Sequence, residues 1–127
     1  MSSVVLDASA LLAFLRREPG GERVAAVLDR AVISAVNVSE VVSKALDYGG
    51  TLVAVSTALS QLPIRTIPFD GEDAYRAASL RPMTKGKGLS LGDRSCLALG
   101  MRLGVPVLTA EVAWSEFQTI VAVEVIR

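Results

Sequence analysis

Four carboxylates in this 127-residue chain stand beside short apolar runs. Asp7 closes Val4-Val5-Leu6, and Glu40 lies one turn into the segment after Ala31–Ser34. Asp93 follows Ser90-Leu91-Gly92, and Glu111 comes two residues after Thr109. Carboxylates gathered in one place raise one another's pKa unless a cation sits among them. Oxygen-rich sites of that kind suit Mg²⁺ or Mn²⁺. Such ions activate water and stabilise charge on a phosphoryl group during in-line displacement. The chemistry open to this set is metal-assisted hydrolysis of a phosphodiester. No Lys or Arg within residues 4–15 or 36–42 neutralises Asp7 or Glu40.

Each acid also has an architectural reading. Asp7 fits a helix N-cap. Asn37-Val38-Ser39-Glu40 has the form of a capping box, and Ser90-Leu91-Gly92-Asp93 repeats it one methylene shorter. Glu111 suits the first turn of a helix through the helix dipole. Capping explains the acids one by one, but it does not require all four to meet at one edge of a sheet.

Composition narrows the chemistry further. The chain has no histidine, which excludes Ser-His-Asp and Cys-His nucleophile systems and imidazole acid–base pairs. A single cysteine, Cys96, allows neither a Cys/His zinc site nor an intrachain disulfide, in keeping with a reducing compartment. Cys96, Trp114 and Phe117 read as packing residues. Thirteen Lys and Arg offset thirteen Asp and Glu, so overall charge does not draw the protein to nucleic acid. Locally, residues 76–102 carry six bases (Arg76, Arg81, Lys85, Lys87, Arg94, Arg102) against one acid, Asp93. Arg81, Lys85, Lys87 and Arg94 are the candidate polynucleotide contacts, and the Lys85-Gly86-Lys87-Gly88 segment is suited to follow a phosphate backbone. No P-loop pattern is present.

The elements that must position these residues alternate along the chain. Strands are expected at Val4–Leu6, Ala31–Ser34, Ile64–Phe69, Pro106–Thr109 and Ile120–Val125, with Pro68 confining the third to an edge or marking its end. Helices are expected up to about Leu15, from Glu22 to about Asp29, and over Asn37–Tyr48, Leu52–Leu62, Glu72–Leu80 and Leu91–Leu103. Residues 81–89 read as irregular. This alternation predicts one three-layer α/β/α domain over residues 1–127 with a mainly parallel five-stranded sheet. Ligands of such sheets bind outside the carboxyl ends of the strands, where the four acids fall. The apolar stretch 4–15 lacks a preceding base and is interrupted by Asp7, unlike a signal peptide. With no run long enough to cross a bilayer, a soluble cytoplasmic protein with no membrane partner is expected.

VVLDASALLAFL with Asp7, NVSEVVSKAL with Glu40, LSLGDRSCLALG with Asp93 and VLTAEVAW with Glu111 together resemble PIN-domain proteins. More narrowly, they resemble VapC-type toxins of toxin–antitoxin pairs. The resemblance covers nearly the whole chain in the family's order. It implies a Mg²⁺- or Mn²⁺-dependent endoribonuclease acting on tRNA, rRNA or mRNA, with Asp7, Glu40, Asp93 and Glu111 as catalytic metal-coordinating acids. Arg81, Lys85, Lys87 and Arg94 then become RNA-binding residues. A small cognate antitoxin and a homodimer are implied as partners. Glu111 departs from the family, whose last acid is usually Asp. Its extra methylene moves the carboxylate by about 1.5 Å and points to an outer-shell or second-metal role. Thr109 is open to orienting a metal-bound water or to being an ordinary strand-end hydroxyl. The alternative from another class is a catalytically silent PIN-like module that binds RNA or protein, and a related DNA nuclease is a third reading.

Overall fold

In the computed structural model, which describes residues 2–127, five short strands form one sheet. They are β1 (Val4–Leu6), β2 (Ala31–Ser34), β3 (Arg65–Ile67), β4 (Val107–Thr109) and β5 (Val123–Val125). Their order is β3-β2-β1-β4-β5, and every neighbouring pair is parallel. The helices are α1 (Ala8–Leu15), α2 (Gly21–Ala25), α3 (Ala35–Asp47), α4 (Leu52–Ser60), α5 (Gly71–Ser79), α6 (Arg81–Thr84) and α7 (Leu91–Leu103). Two 3₁₀ turns, Leu28–Arg30 and Val112–Phe117, complete the order.

Strand alternation sorts the core into two halves. Val4, Leu6, Ile33 and Leu108 pack with Ala10, Leu11 and Ala13 of α1, Val24 of α2 and Val41 of α3. Val5, Val32, Val107 and Val123 face the other way, against Leu80, Cys96 to Leu99 of α7, and Trp114 and Phe117. The sheet is thus covered on both faces, which is why its central strands β1, β2 and β4 read as near-continuous apolar runs. On the second face α7 sits close to the sheet because it carries Gly100, where a Cβ would lie 2.5 Å from the Val107 side chain.

The expected three-layer architecture is the one observed. The differences lie at element ends. The helix expected to run to Asp29 stops at Ala25 and continues as the 3₁₀ turn, the fifth strand starts at Val123, and residues 81–84 form a short helix instead of loop. Helix α3 begins at Ala35, and Ser34 caps it by accepting from the Val36 amide at 3.2 Å. Asn37 is therefore inside the helix and fully buried, so the capping box expected at Asn37–Glu40 does not exist. Residues 90–93 do form one. Ser90 Oγ accepts from the Asp93 amide at 3.1 Å, and Asp93 accepts from the Ser90 amide at 3.0 Å.

From β1 the chain builds the sheet outward through β2 to β3, then crosses back to place β4 on the other side of β1. This reversal opens a crevice at the carboxyl ends of β1 and β4.

Candidate active site: an acidic cleft at the strand-order reversal

Asp7 is the residue immediately after β1, and its amide donates to Leu108 O of β4 at 2.9 Å. It occupies the N-cap position of α1 but makes no side-chain cap bond. Its carboxylate is engaged elsewhere. Ser9 Oγ donates to Asp7 Oδ2 at 2.6 Å, and Thr109 Oγ1 donates to the same oxygen at 2.9 Å. The two hydroxyls are themselves oriented by backbone amides. Ala110 N donates to Ser9 Oγ at 2.9 Å, and Glu111 N donates to Thr109 Oγ1 at 3.0 Å. A hydroxyl that accepts from an amide has its own proton free to give, so both point charge-assisted bonds at the carboxylate. Asp7 is 3 % exposed. Burial pushes its carboxyl up from 3.8 to about 6 against the lowering effect of the two hydroxyls, with the charges of Asp93 and Glu40 adding to the rise.

Glu40 comes from α3 and is held by Asn37, whose Nδ2 donates to Glu40 Oε1 at 2.8 Å and to Gly92 O of α7 at 3.0 Å. One buried amide thereby joins α3 to α7 and fixes a carboxylate between them, while Asn37 Oδ1 is left without a partner. Gly92 makes room for this, since a Cβ there would overlap the Glu40 carboxylate. Asp93 is delivered by the capping box of α7. Glu111 precedes the 3₁₀ turn after β4, is exposed and makes no cap bond.

All four acids line one cleft of about 470 Å³, together with Ser9, Lys44, Lys87, Glu116, Trp114 and Phe117. Cys96 is buried among core side chains. Burial pushes its thiol well up, and the charges of Asp7, Asp93 and Glu40 push the same way. An un-ionised thiol is a packing group and no nucleophile. Trp114 and Phe117 are 3 % and 5 % exposed, so neither ring offers a face for base stacking.

The basic residues are sorted in a way that charge counting does not show. Burial would raise the Asp73 carboxyl, but the Asp70 amide and the Arg102 and Arg76 guanidiniums outweigh it and hold it low. Arg76 and Arg102 bond Asp73 at 3.0 and 2.9 Å. Arg94 departs from its expected place, because its Nη1 donates to Ala77 O of α5 at 3.1 Å and its Nε is buried. It ties α7 to α5. Lys87 reaches the cleft and pairs with Glu116 at 3.0 Å. Arg81 and Lys85 border a smaller hollow that shares Gly88 and Leu89 with the cleft. Lys44, Ser9, Asn37 and Gly92 are not among the site residues expected from sequence, although Asn37 and Gly92 fall within the two capping patterns. Lys44 had one available signal, its position four residues after Glu40 on the same helix.

The donor set consists of carboxylates and hydroxyls, and burial, joined by the charges of Asp93 and Glu40, raises its most buried member. Both features fit a hard divalent cation. Among the described residues no three acids already converge into one coordination sphere. Thr109→Val, nearly isosteric, removes one of the two hydroxyl bonds to Asp7. It is expected to weaken Mn²⁺ binding by about tenfold, measured by calorimetry, with an unchanged circular dichroism spectrum.

A doubly covered parallel sheet with an acidic cleft at its strand-order reversal is the architecture of a doubly wound α/β domain with its ligand crevice at the strand ends. The chain belongs to the PIN domain family, whose model matches residues 4–118. No curated protein matches it in sequence, whereas solved structures do. A toxin–antitoxin complex from Klebsiella pneumoniae is similar over 96 % of each chain, with 23 % identity and a TM-score of 0.76. FitAcB from Neisseria gonorrhoeae is 26 % identical over 94 % of this chain and 95 % of its own, with a TM-score of 0.68. The Mycobacterium tuberculosis toxin VapC20, described as cleaving the sarcin–ricin loop, is 17 % identical over 91 % and 95 %, with a TM-score of 0.74. Among the described residues no helix is long and apolar enough to cross a membrane.

Proposed function

We propose that the protein is the toxin of a toxin–antitoxin pair, a divalent-metal-dependent endoribonuclease using Mg²⁺ or Mn²⁺. The observation that carries this reading is the meeting of Asp7, Glu40, Asp93 and Glu111 in one cleft, although they lie in four separate parts of the chain. The similarity to toxin–antitoxin structures and to an RNA-cleaving toxin supports it. When bound, the cation would supply water activation and charge stabilisation at the phosphoryl group. Asp7, Glu40 and Asp93 would hold it. Glu111, exposed and on a longer side chain, would reach it through water or hold a second ion. Thr109 and Ser9 keep Asp7 ionised and aimed. Lys87, with Arg81 and Lys85 in the adjoining hollow, would meet the RNA backbone on the α6–α7 side.

A protein partner is supported by the surface where α3 meets α4. Tyr48, Leu52 and Val53 are 76, 62 and 76 % exposed there, and α4 has no buried residue. Apolar surface gathered in this way marks an interface, which either an antitoxin or a second copy of the chain would cover.

The test is cleavage of total RNA by the purified protein with Mn²⁺ or Mg²⁺, with EDTA, and by Asp93→Asn. The expected result is metal-dependent scission lost by at least about 100-fold in Asp93→Asn, since removing a charged ligand costs several kcal/mol. Activity that persists in EDTA or in the variant overturns the mechanism. A well-folded wild type that neither binds Mn²⁺ nor cuts RNA would favour the silent module instead.

A further inference from the structure

Lys44 stands out among the charged groups of the cleft. It follows Glu40 by four residues on α3, the spacing at which a Glu and a Lys normally pair. Yet the pair is not made, and Lys44 forms no ion pair among the described residues. The cause is Asn37. By donating to both Glu40 Oε1 and Gly92 O it holds the Glu40 carboxylate toward α7, where the absence of a side chain at Gly92 accommodates it. An ammonium is left lining an acidic cleft with no carboxylate assigned to it. Lys87, which lines the same cleft, is by contrast engaged by Glu116.

We propose that Lys44 is a contact for a backbone phosphate of the bound RNA strand, kept available because Asn37 reserves Glu40 for the metal side of the cleft. This rests on the nuclease reading and adds a path for the strand to it. The RNA backbone would cross the carboxylates from Lys44 on α3 to Lys87 on the α6–α7 loop. A Lys in the last turn of a helix also interacts favourably with the helix dipole, but that role predicts nothing about RNA.

The test measures binding of a fluorescent single-stranded RNA as a function of salt. Ca²⁺ replaces the activating ion to fill the oxygen ligands, and cleavage kinetics are measured separately in Mn²⁺. The proteins are the wild type, Lys44→Ala, Lys44→Arg and Arg65→Ala, the last removing an exposed charge from edge strand β3. Lys44→Ala is expected to weaken RNA binding by about fivefold and to lower the slope of log K against log salt by about 0.7, one phosphate's worth. KM should rise with kcat within twofold, Mn²⁺ affinity should be unchanged, and Lys44→Arg should restore binding. Lys44→Ala matching the wild type in affinity and slope overturns the assignment, as does an equal loss in Arg65→Ala. A wild type that neither binds nor cuts RNA overturns the nuclease reading beneath it.

Discussion

Replacing Asp7 by Asn is expected to yield a protein that melts later than the wild type in EDTA and no longer cleaves RNA. The two effects have one cause. Burial holds the Asp7 carboxyl at about 6 against 3.8 for the free group. Between these values the native state binds more protons than the unfolded state, so stability falls as pH rises. The stabilising contribution of the protonated group is complete below about pH 4 and is lost as pH passes through about 6. A difference of that size corresponds to about 3 kcal/mol at neutral pH. Asn carries no charge to desolvate and still accepts from Ser9 and Thr109, so it removes the penalty together with the ligand. Thermal melts in EDTA should therefore separate the two proteins at pH 7 and bring them together at pH 4. Added Mn²⁺ should raise the melting temperature of the wild type only. Equal melting at pH 7 in EDTA would show that Asp7 is not strained by its burial.

The second large effect is expected from the smallest change, Gly92→Ala. An added methyl overlaps the Glu40 carboxylate. That group is the end of a flexible side chain, so it can move without unfolding α3 or α7. Gly92 lies in the first turn of α7, so Ala gains only part of the roughly 1 kcal/mol by which it exceeds Gly in a helix interior, partly offsetting the lost Asn37–Glu40 bond. The variant should fold with a melting temperature within a few degrees of the wild type. Its cleavage should nevertheless fall by about 100-fold or more, since a displaced ligand of this kind costs several kcal/mol in the transition state. Steady-state cleavage together with melting separates the two effects. A variant that keeps full activity would remove Glu40 from the metal-binding set, and one that fails to fold would mean that Glu40 cannot be displaced.

Much of this arrangement was legible in the chain. The short central strands survive as readable signals because both faces of the sheet are covered there, which makes β1 wholly apolar and β2 and β4 apolar up to their last residue. The acids were legible because strand ends are where such sheets bind ligands. The misreadings share a different cause. At Asn37 the local pattern matched a capping box, but Ser34, three residues earlier, was an equally good cap. Burial against α7 decided between them. The basic count over residues 76–102 began just past Glu72 and Asp73, the partners that bind Arg76 and Arg102. Arg94 turns its Nη1 toward a carbonyl 17 residues away. Pairing in three dimensions decides which charges remain free, and a window along the chain does not contain it.

The bond between Thr109 and Asp7 joins residues 102 apart, and β1 lies between β2 and β4. As the protein is made, its first strand must wait for β4, and no nascent fragment that stops short of Thr109 can assemble the cleft. Contacts of such long sequence separation form slowly. A cleft built this way does not exist in the growing chain, and it comes into being only when the two distant parts of the chain meet.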